Sequence, residues 1–431
     1  MTKKDFTYAM RRGLGRCVTA VRRDPEKYRD IVLRACKKNI AYDAQVEGTR
    51  CWYVYTMVNA YPDPETFITA AVDALKKYRP RNDWDLLHLS ELLMFFAMDG
   101  YHTAKTALDE KYAEVLEAMF ARKNRPDGVF HELADLEQLG LVLAVDPKSF
   151  CRIAADFGRL YQEKSYMLGG EFAWFFSSKG DQYKKTMERA AQKNESIAFF
   201  MQRERADISV KKEKWTDARE NYPADLTGIR LSRWLERKAD RDTIEQYARA
   251  YREQTQPELR AKALTAFAIC PYPGDPGVVL EDIRSDCEVL RNAAWRALEN
   301  IRDPAVRTFA LENVCNGIHT PENFALLVTN CVPEDGALLE SLLREQIAAK
   351  NWDGIHAAGM DIKRAFYKDS GIPHPKHLLP LLYEYTPCSF CRESAIRDMA
   401  RHRMLTAEIL NECLYDSSYD IRSYAAKRLR K

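Results

Sequence analysis

Three segments in the N-terminal half carry ionisable side chains at helical spacing inside otherwise apolar runs, and acid–base or recognition chemistry is to be sought there first. In YDAQVEGTRCWYVYTMV, Asp43, Glu47 and Arg50 stand at i, i+4 and i+7, which puts them on one stripe of a helix. In WDLLHLSELLMFFAM, Asp85, His88 and Glu91 are the main polar groups of a segment apolar nearly all round. In FHELADLEQLGLVLAV, His131, Asp135 and Gln138 repeat the i, i+4, i+7 pattern. Such groups are costly to bury unless they pair. Stacked hairpins that align the stripes would form one concave site of carboxylates, imidazoles and a guanidinium. Asp43, Asp85 or Glu91 beside Trp52 or Trp84 then supplies an acid or base next to an apolar wall. The plainer expectation is that the stripes are interhelical salt bridges and hydrogen bonds that fix the register of the stack. The two readings differ in whether Asp43, Glu47, His88 and His131 converge on one solvent-accessible surface.

Two metal-type patterns also occur. His131-Glu132 opens like the zinc-protease helix His-Glu-x-x-His, but Asp135 stands where the second imidazole belongs. His374-x-x-His377 followed by Cys388-x-x-Cys391 offers four zinc-type ligands across a ten-residue spacer. Gly-rich phosphate loops, the Gly-x-Ser-x-Gly elbow and the dinucleotide fingerprint are all missing, so no cofactor is expected.

The elements that must position these residues are helices. Apolar residues recur at helical spacing almost throughout, punctuated by YPDPE at 61 to 65, RPRND at 79 to 83 and VDPKS at 145 to 149. An Asp-Pro start is self-capping, because Asp accepts from free backbone N–H groups and Pro suits the first turn. In the C-terminal half a nine-residue phrase, apolar-Arg-x-x-Ala-x-x-x-apolar, recurs as LRAKALTAF from Leu259, LRNAAWRAL from Leu290, CRESAIRDM from Cys391 and IRSYAAKRL from Ile421. The first two copies start 31 residues apart and the last two 30. A further copy, VRTFALENV, begins at Val306. On a helix, offsets 0, 4 and 8 share a face, so the apolar ends and the Ala are expected inward. The Arg at offset 1 lies beside that face, with Glu258 or Asp420 within reach of its head. Cys391 fills the opening slot of its copy, which directs its thiol into the stack and argues against zinc.

DCEVLRNAAWRALENIRDPAVRTFALENV and SSYDIRSYAAKRLRK resemble HEAT repeats, in particular the short HEAT-like repeats of bilin lyases. The likeness covers residues 257 to 314 and 388 to 431 well and the N-terminal half only in general character. It implies an all-α fold, a right-handed α-α superhelix of stacked antiparallel hairpins (a HEAT-like, armadillo-type solenoid) whose curved surface binds a protein or peptide partner. A few members of that superfamily, such as the DNA alkylation repair glycosylases, are enzymes, so a nucleic-acid-associated enzyme is the alternative. HEAT-like motifs specify fold and are close to silent on chemistry. An enzyme is the less favoured reading.

Bulk properties set the remaining bounds. A chain of 431 residues with 46% hydrophobic and 30% charged residues is long enough for several domains or one elongated array. No window approaches an uncharged membrane span, and the charged N-terminus lacks a secretory h-region, so no membrane partner and a cytoplasmic location are expected. Eleven cysteines scattered through apolar segments read as reduced core residues. Net charge is only +3 but uneven: residues 1 to 40 hold 12 Lys/Arg against 4 Asp/Glu, and residues 41 to 180 hold 15 against 21. Arg11, Arg12, Arg16, Arg22 and Arg23 would steer phosphate if the partner were nucleic acid. The organisation expected is residues 1–202 as N-terminal helical repeats with polar stripes, 203–225 as a polar connecting segment, and 226–431 as C-terminal HEAT-like repeats.

Overall fold

A computed structural model of the chain describes residues 1–79, 84–122, 130–164, 180–203, 228–367 and 376–430. Among them every regular element is helical, and no helix is long and apolar enough to cross a membrane. The chain divides into two compact units: Met1–Thr216 together with Ala407–Lys431, and Asp217–Thr406. Residues 407–431 carry the repeat phrase, yet they group with the N-terminal helices.

The first unit contains α1 (Lys3–Arg12), α2 (Arg16–Arg23), α3 (Pro25–Ala35), α4 (Ala44–Glu47), α5 (Cys51–Val58), α6 (Glu65–Lys77), α7 (Asp85–Met98), α8 (His102–Ala121), α9 (Phe130–Leu143), α10 (Pro147–Lys164), α11 (Asp181–Ala191) and α12 (195–203). The second contains α13 (Gly228–Lys238), α14 (Arg241–Glu253), α15 (Pro257–Leu264), α16 (Pro276–Asp282), α17 (Glu288–Leu298), α18 (Pro304–Cys315), α19 (Pro321–Asn330), α20 (Gly336–Ala348), α21 (Trp352–Tyr367), α22 (Leu379–Tyr385) and α23 (Ser389–Arg401). The first unit is completed by α24 (Ala407–Cys413) and α25 (Tyr419–Leu429).

The Asp-Pro punctuation works as capping chemistry. Asp24, Asp275 and Asp303 each accept a backbone N–H of the helix that follows, with Pro in its first turn. Asp146 likewise accepts from the N–H groups of Lys148 and Ser149 at the start of α10. Asp63 differs: it sits one residue before the cap of α6 and holds Arg29 of α3 at 2.6 Å.

Within each unit the closest helix pairs lie one or two elements apart along the chain. In the second unit α15 packs on α17, α19 on α21 and α21 on α23, while α16 packs on α18. Side-chain amides stitch successive layers together. Asn300 donates to the carbonyl of Ala268 at 3.0 Å, and Asn330 donates to that of Ile301 at 3.2 Å. Both satisfy a main-chain acceptor at a helix end and so remove a desolvation penalty.

The repeat phrase is inward-facing at all three positions in two copies: Leu290, Ala294 and Leu298 are buried, as are Cys391, Ala395 and Met399. Two positions depart from the expected pattern. Leu259 is 47% exposed and Leu429 is also exposed, because Ala261 and Leu264 carry the buried face of α15 and Ile421 and Ala425 that of α25. The phrase arginine does not reach Glu258 or Asp420. It donates to main-chain carbonyls five and six residues upstream: Arg291 to Ser285 and Asp286 at 2.7 and 2.9 Å, and Arg422 to Asp416 and Ser417, both at 2.8 Å. Arg260 repeats the theme with Gln254 at 3.3 Å and adds Asp282 at 2.8 Å. The arginine thus anchors the loop that enters its own helix.

Candidate functional site

The polar stripes of the first unit separate into local locks. Asp43 caps α4, accepting from the N–H groups of Gln45 and Val46 at 3.1 and 3.2 Å. Glu47 and Arg50 form a 3.1 Å ion pair with side chains only 3% and 2% exposed. Arg50 also donates to the carbonyls of Met10 and Arg11, which closes the C-terminal end of α1. Asp85, at the start of α7, accepts from the N–H of Asn39 at 2.8 Å. Glu91, farther along α7, accepts from the Thr49 hydroxyl and from the Cys51 thiol at 3.1 Å. Burial and the Glu91 carboxylate push that thiol well above the usual range, which leaves it a poor nucleophile. Asp135 is buried and accepts from the Tyr78 hydroxyl at 3.3 Å. Trp84 is exposed in a left-handed backbone conformation at the start of α7. The side chain of His131, on α9, lies outside the described residues.

His88 is fully buried on α7, with Nε2 2.9 Å from the carbonyl oxygen of Ala35. That contact requires a proton on Nε2, so Nδ1 is the bare acceptor of a neutral ring. Burial lowers its pKa from 6.5 to about 4. The unfolded chain therefore binds the proton first as pH falls. His88 contributes stability that is fully present above about pH 6.5 and lost progressively down to about pH 4, up to about 3 kcal/mol in all. A His88→Gln variant, compared with wild type in urea unfolding between pH 7.5 and 4.5, is expected to show a shallower pH dependence. An unchanged slope would assign the proton uptake elsewhere.

The arginines of the basic N-terminus are largely engaged within the first unit. Arg12 is buried over the Tyr8 ring, Arg16 pairs with Glu412 at 2.8 Å, and Arg22 lies 4.5 Å over the ring of Tyr415. Another contact with residues 407–431 went unread in the sequence: Arg422 of α25 stacks 3.5 Å over Trp52 of α5. Nothing in a linear spacing joins residues so far apart.

The second unit carries two features of a different kind. One is a groove along α15 and α17, lined by Glu258, Ala261 and Lys262 from the first helix with Thr265 just past its end, and by Val289, Asn292, Ala293 and Arg296 from the second. Each residue of the second set follows its counterpart by 31 residues, the repeat period itself. Gly228 and Ile229, at the start of α13, line it as well. Val289 is 61% exposed and Ile229 is exposed too, so the groove presents apolar groups beside the cations of Lys262 and Arg296.

The other is a thiol–imidazole cluster. Cys388 caps the start of α23, Cys391 lies in its first turn, and His356 comes from α21. The three donor atoms lie within 4.8 Å of one another, with Cys391 Sγ 3.6 Å from His356 Nδ1. Hydrogen bonds from Cys391 and His356 hold the Cys388 thiol far below the ordinary thiol range, and the hydrogen bond that Cys391 donates to Cys388, together with burial, pushes Cys391 far above it. The helices meet closely here because α21 has Gly359: a Cβ at that position would stand 3.1 Å from both Cβ and Sγ of Cys391.

This corrects the four-ligand pattern read from the sequence. Cys388 and Cys391 do come together, but His377 is exposed and its Nε2 lies 2.7 Å from the Gly336 carbonyl oxygen. His374 lies outside the described residues. His356 escaped notice because its partners are 32 and 35 residues downstream on another element.

A scan against protein-family models, a search of curated proteins and a search of solved structures each return no match for this chain.

Proposed function

We propose that the protein is a binding scaffold of the HEAT-like solenoid type, and that its second unit receives a protein or peptide partner along the α15–α17 groove. The single observation that carries this reading is the one-repeat equivalence of the groove walls. Positions −1, +2, +3 and +6 of the repeat phrase line the groove in both copies, whereas positions 0, 4 and 8 of the copy from Leu290 are buried. One phrase thus supplies a packing face and a presented face, as expected of a repeat that binds through its surface. The small side chains of Ala261, Ala268 and Ala293 keep the floor low, so a backbone can approach closely. Lys262 and Arg296 favour a segment in which acidic residues flank apolar ones.

The test is capture from the native cell with a Lys262→Glu/Val289→Asp/Arg296→Glu variant beside wild type. An Arg237→Glu/Arg249→Glu variant serves as the control. All these side chains except Lys262, Val289 and Arg296 lie off the groove, and surface changes of this sort alter stability by about 0.5 kcal/mol or less per site. At least ~10-fold lower recovery of a defined protein partner with the groove variant alone would support the proposal. Equal recovery with all three proteins would sink it. Binding of nucleic acid that falls steeply with salt would favour the glycosylase-like alternative instead.

A further inference from the structure

The strongest unassigned chemistry in the molecule is the cluster of Cys388, Cys391 and His356. We propose that these three side chains form a binding site for a soft divalent cation, with Zn²⁺ as the occupant and the fourth coordination position open. The argument starts from distance. With Zn–S of about 2.3 Å and Zn–N of about 2.0–2.1 Å, a tetrahedral ion holds a sulfur and a nitrogen ligand about 3.6 Å apart. The Cys391 Sγ to His356 Nδ1 separation is 3.6 Å, and all three donors fall within 4.8 Å. Two sulfurs on such an ion stand ~3.8 Å apart, so from a spread of no more than 4.8 Å the cluster closes on it with a shift of about 1 Å at most.

Donor chemistry narrows the choice of ion. Two thiolates and an imidazole favour Zn²⁺ over the hard, oxygen-seeking Mg²⁺ and Ca²⁺. Two thiolates also neutralise the dication, so the cysteines, which are both buried, need no other counter-ion. The Cys-x-x-Cys spacing places one sulfur at the helix cap and the other in the first turn, so both reach one point in front of the helix.

The backbone supplies an independent observation. His356 and Gly359 are three residues apart on α21 and share the face that packs on α23. A Cβ at Gly359 would press on Cys391 at 3.1 Å and push the two helices apart by a few tenths of an ångström, and the imidazole arrives beside the thiols through the same approach. Both sulfurs bind the ion as thiolates, and any proton that the pair holds beforehand is released to solvent on binding.

Cobalt substitution tests the site in the full-length chain. Purified metal-free protein titrated with Co²⁺ is expected to develop a thiolate-to-cobalt charge-transfer band that saturates at one ion per chain. One equivalent of Zn²⁺ should abolish the band. Cys388→Ser and Cys391→Ser should each roughly halve its intensity, since each removes one of two thiolates. His356→Ala should keep the two-thiolate band but weaken Co²⁺ binding at least ~10-fold, the loss that even outer partners of a metal ligand bring. Gly359→Ala, which leaves all three donors in place, should also weaken binding. Circular dichroism checks that each variant is folded, and the wild-type titration stands without any variant. No charge-transfer band with stoichiometric Co²⁺ would overturn the proposal. So would a band that is unchanged in both serine variants, or a Cys388–Cys391 disulfide that persists after mild reduction.

Discussion

Arg50→Ala is expected to destabilise the first unit by about 3–5 kcal/mol, the range for removing one partner of a buried ion pair. The reason is what remains. Glu47 is almost wholly buried, and without the guanidinium its carboxylate would be an uncompensated charge. The carbonyls of Met10 and Arg11 lose a donor in the same step, so the end of α1 loosens. A Glu47→Gln/Arg50→Met double variant should recover much of the loss, because an apolar replacement of both partners removes the charge that has to be compensated. Urea unfolding of the three proteins measures the difference. A loss below about 1 kcal/mol for Arg50→Ala would mean that the pair behaves as a solvated surface contact.

Gly15→Ala should have an effect of similar size through shape alone. A Cβ at Gly15 would sit deep inside the van der Waals envelope of the Glu412 carbonyl oxygen and 3.0 Å from the carbonyl carbon of Tyr415. Both are main-chain atoms that no rotamer change can move. Residues 412–417 must shift, which endangers the Arg16–Glu412 ion pair and the hydrogen bond from Ser417 N–H to the Gly13 carbonyl, 2.9 Å long. Overpacking costs about 1–3 kcal/mol and occasionally more, and a site where backbone has to yield belongs at the upper end, about 3 kcal/mol. Hydrogen exchange should accelerate across 407–431 and remain unchanged within 228–367. Gly180→Ala is the control, since nothing lies within 4 Å of its added methyl. Equal exchange in the two variants would refute the close approach as the source of the effect.

Much of the helical architecture was legible in the chain because its signals are local. Asp303-Pro304 announces a capped helix, and the face of Leu290, Ala294 and Leu298 follows from a period that three residues suffice to define. The failures share a cause. Leu259 reads like Leu290 but faces solvent, since the neighbours that decide which flank of a helix is covered are not encoded in its own nine residues. The arginine of the phrase was read as seeking an acid near the preceding turn; Arg291 and Arg422 instead bind carbonyls, which every residue possesses and no composition reveals, and the acid of Arg260 is Asp282, 22 residues on. The candidate site follows the same logic. Asp85 and His88 stood out as residue types, but their partners, the Asn39 N–H and the Ala35 carbonyl, are main-chain groups. The Cys-x-x-Cys pair was visible from spacing, whereas its imidazole was not, because His356 reaches it only through the packing of α21 on α23.

The assignment of residues 407–431 to the first unit has a consequence for biosynthesis. During translation the N-terminal helices leave the ribosome long before α24 and α25, with the whole of Asp217–Thr406 made in between. At ~5–20 residues per second that interval lasts about 10–40 s. Throughout it, Trp52 has no Arg422 above it and the turn around Gly15 has no Glu412 against it. The unit begun first is the one completed last, and its nascent surface is exposed to chaperones and proteases for the whole of that delay.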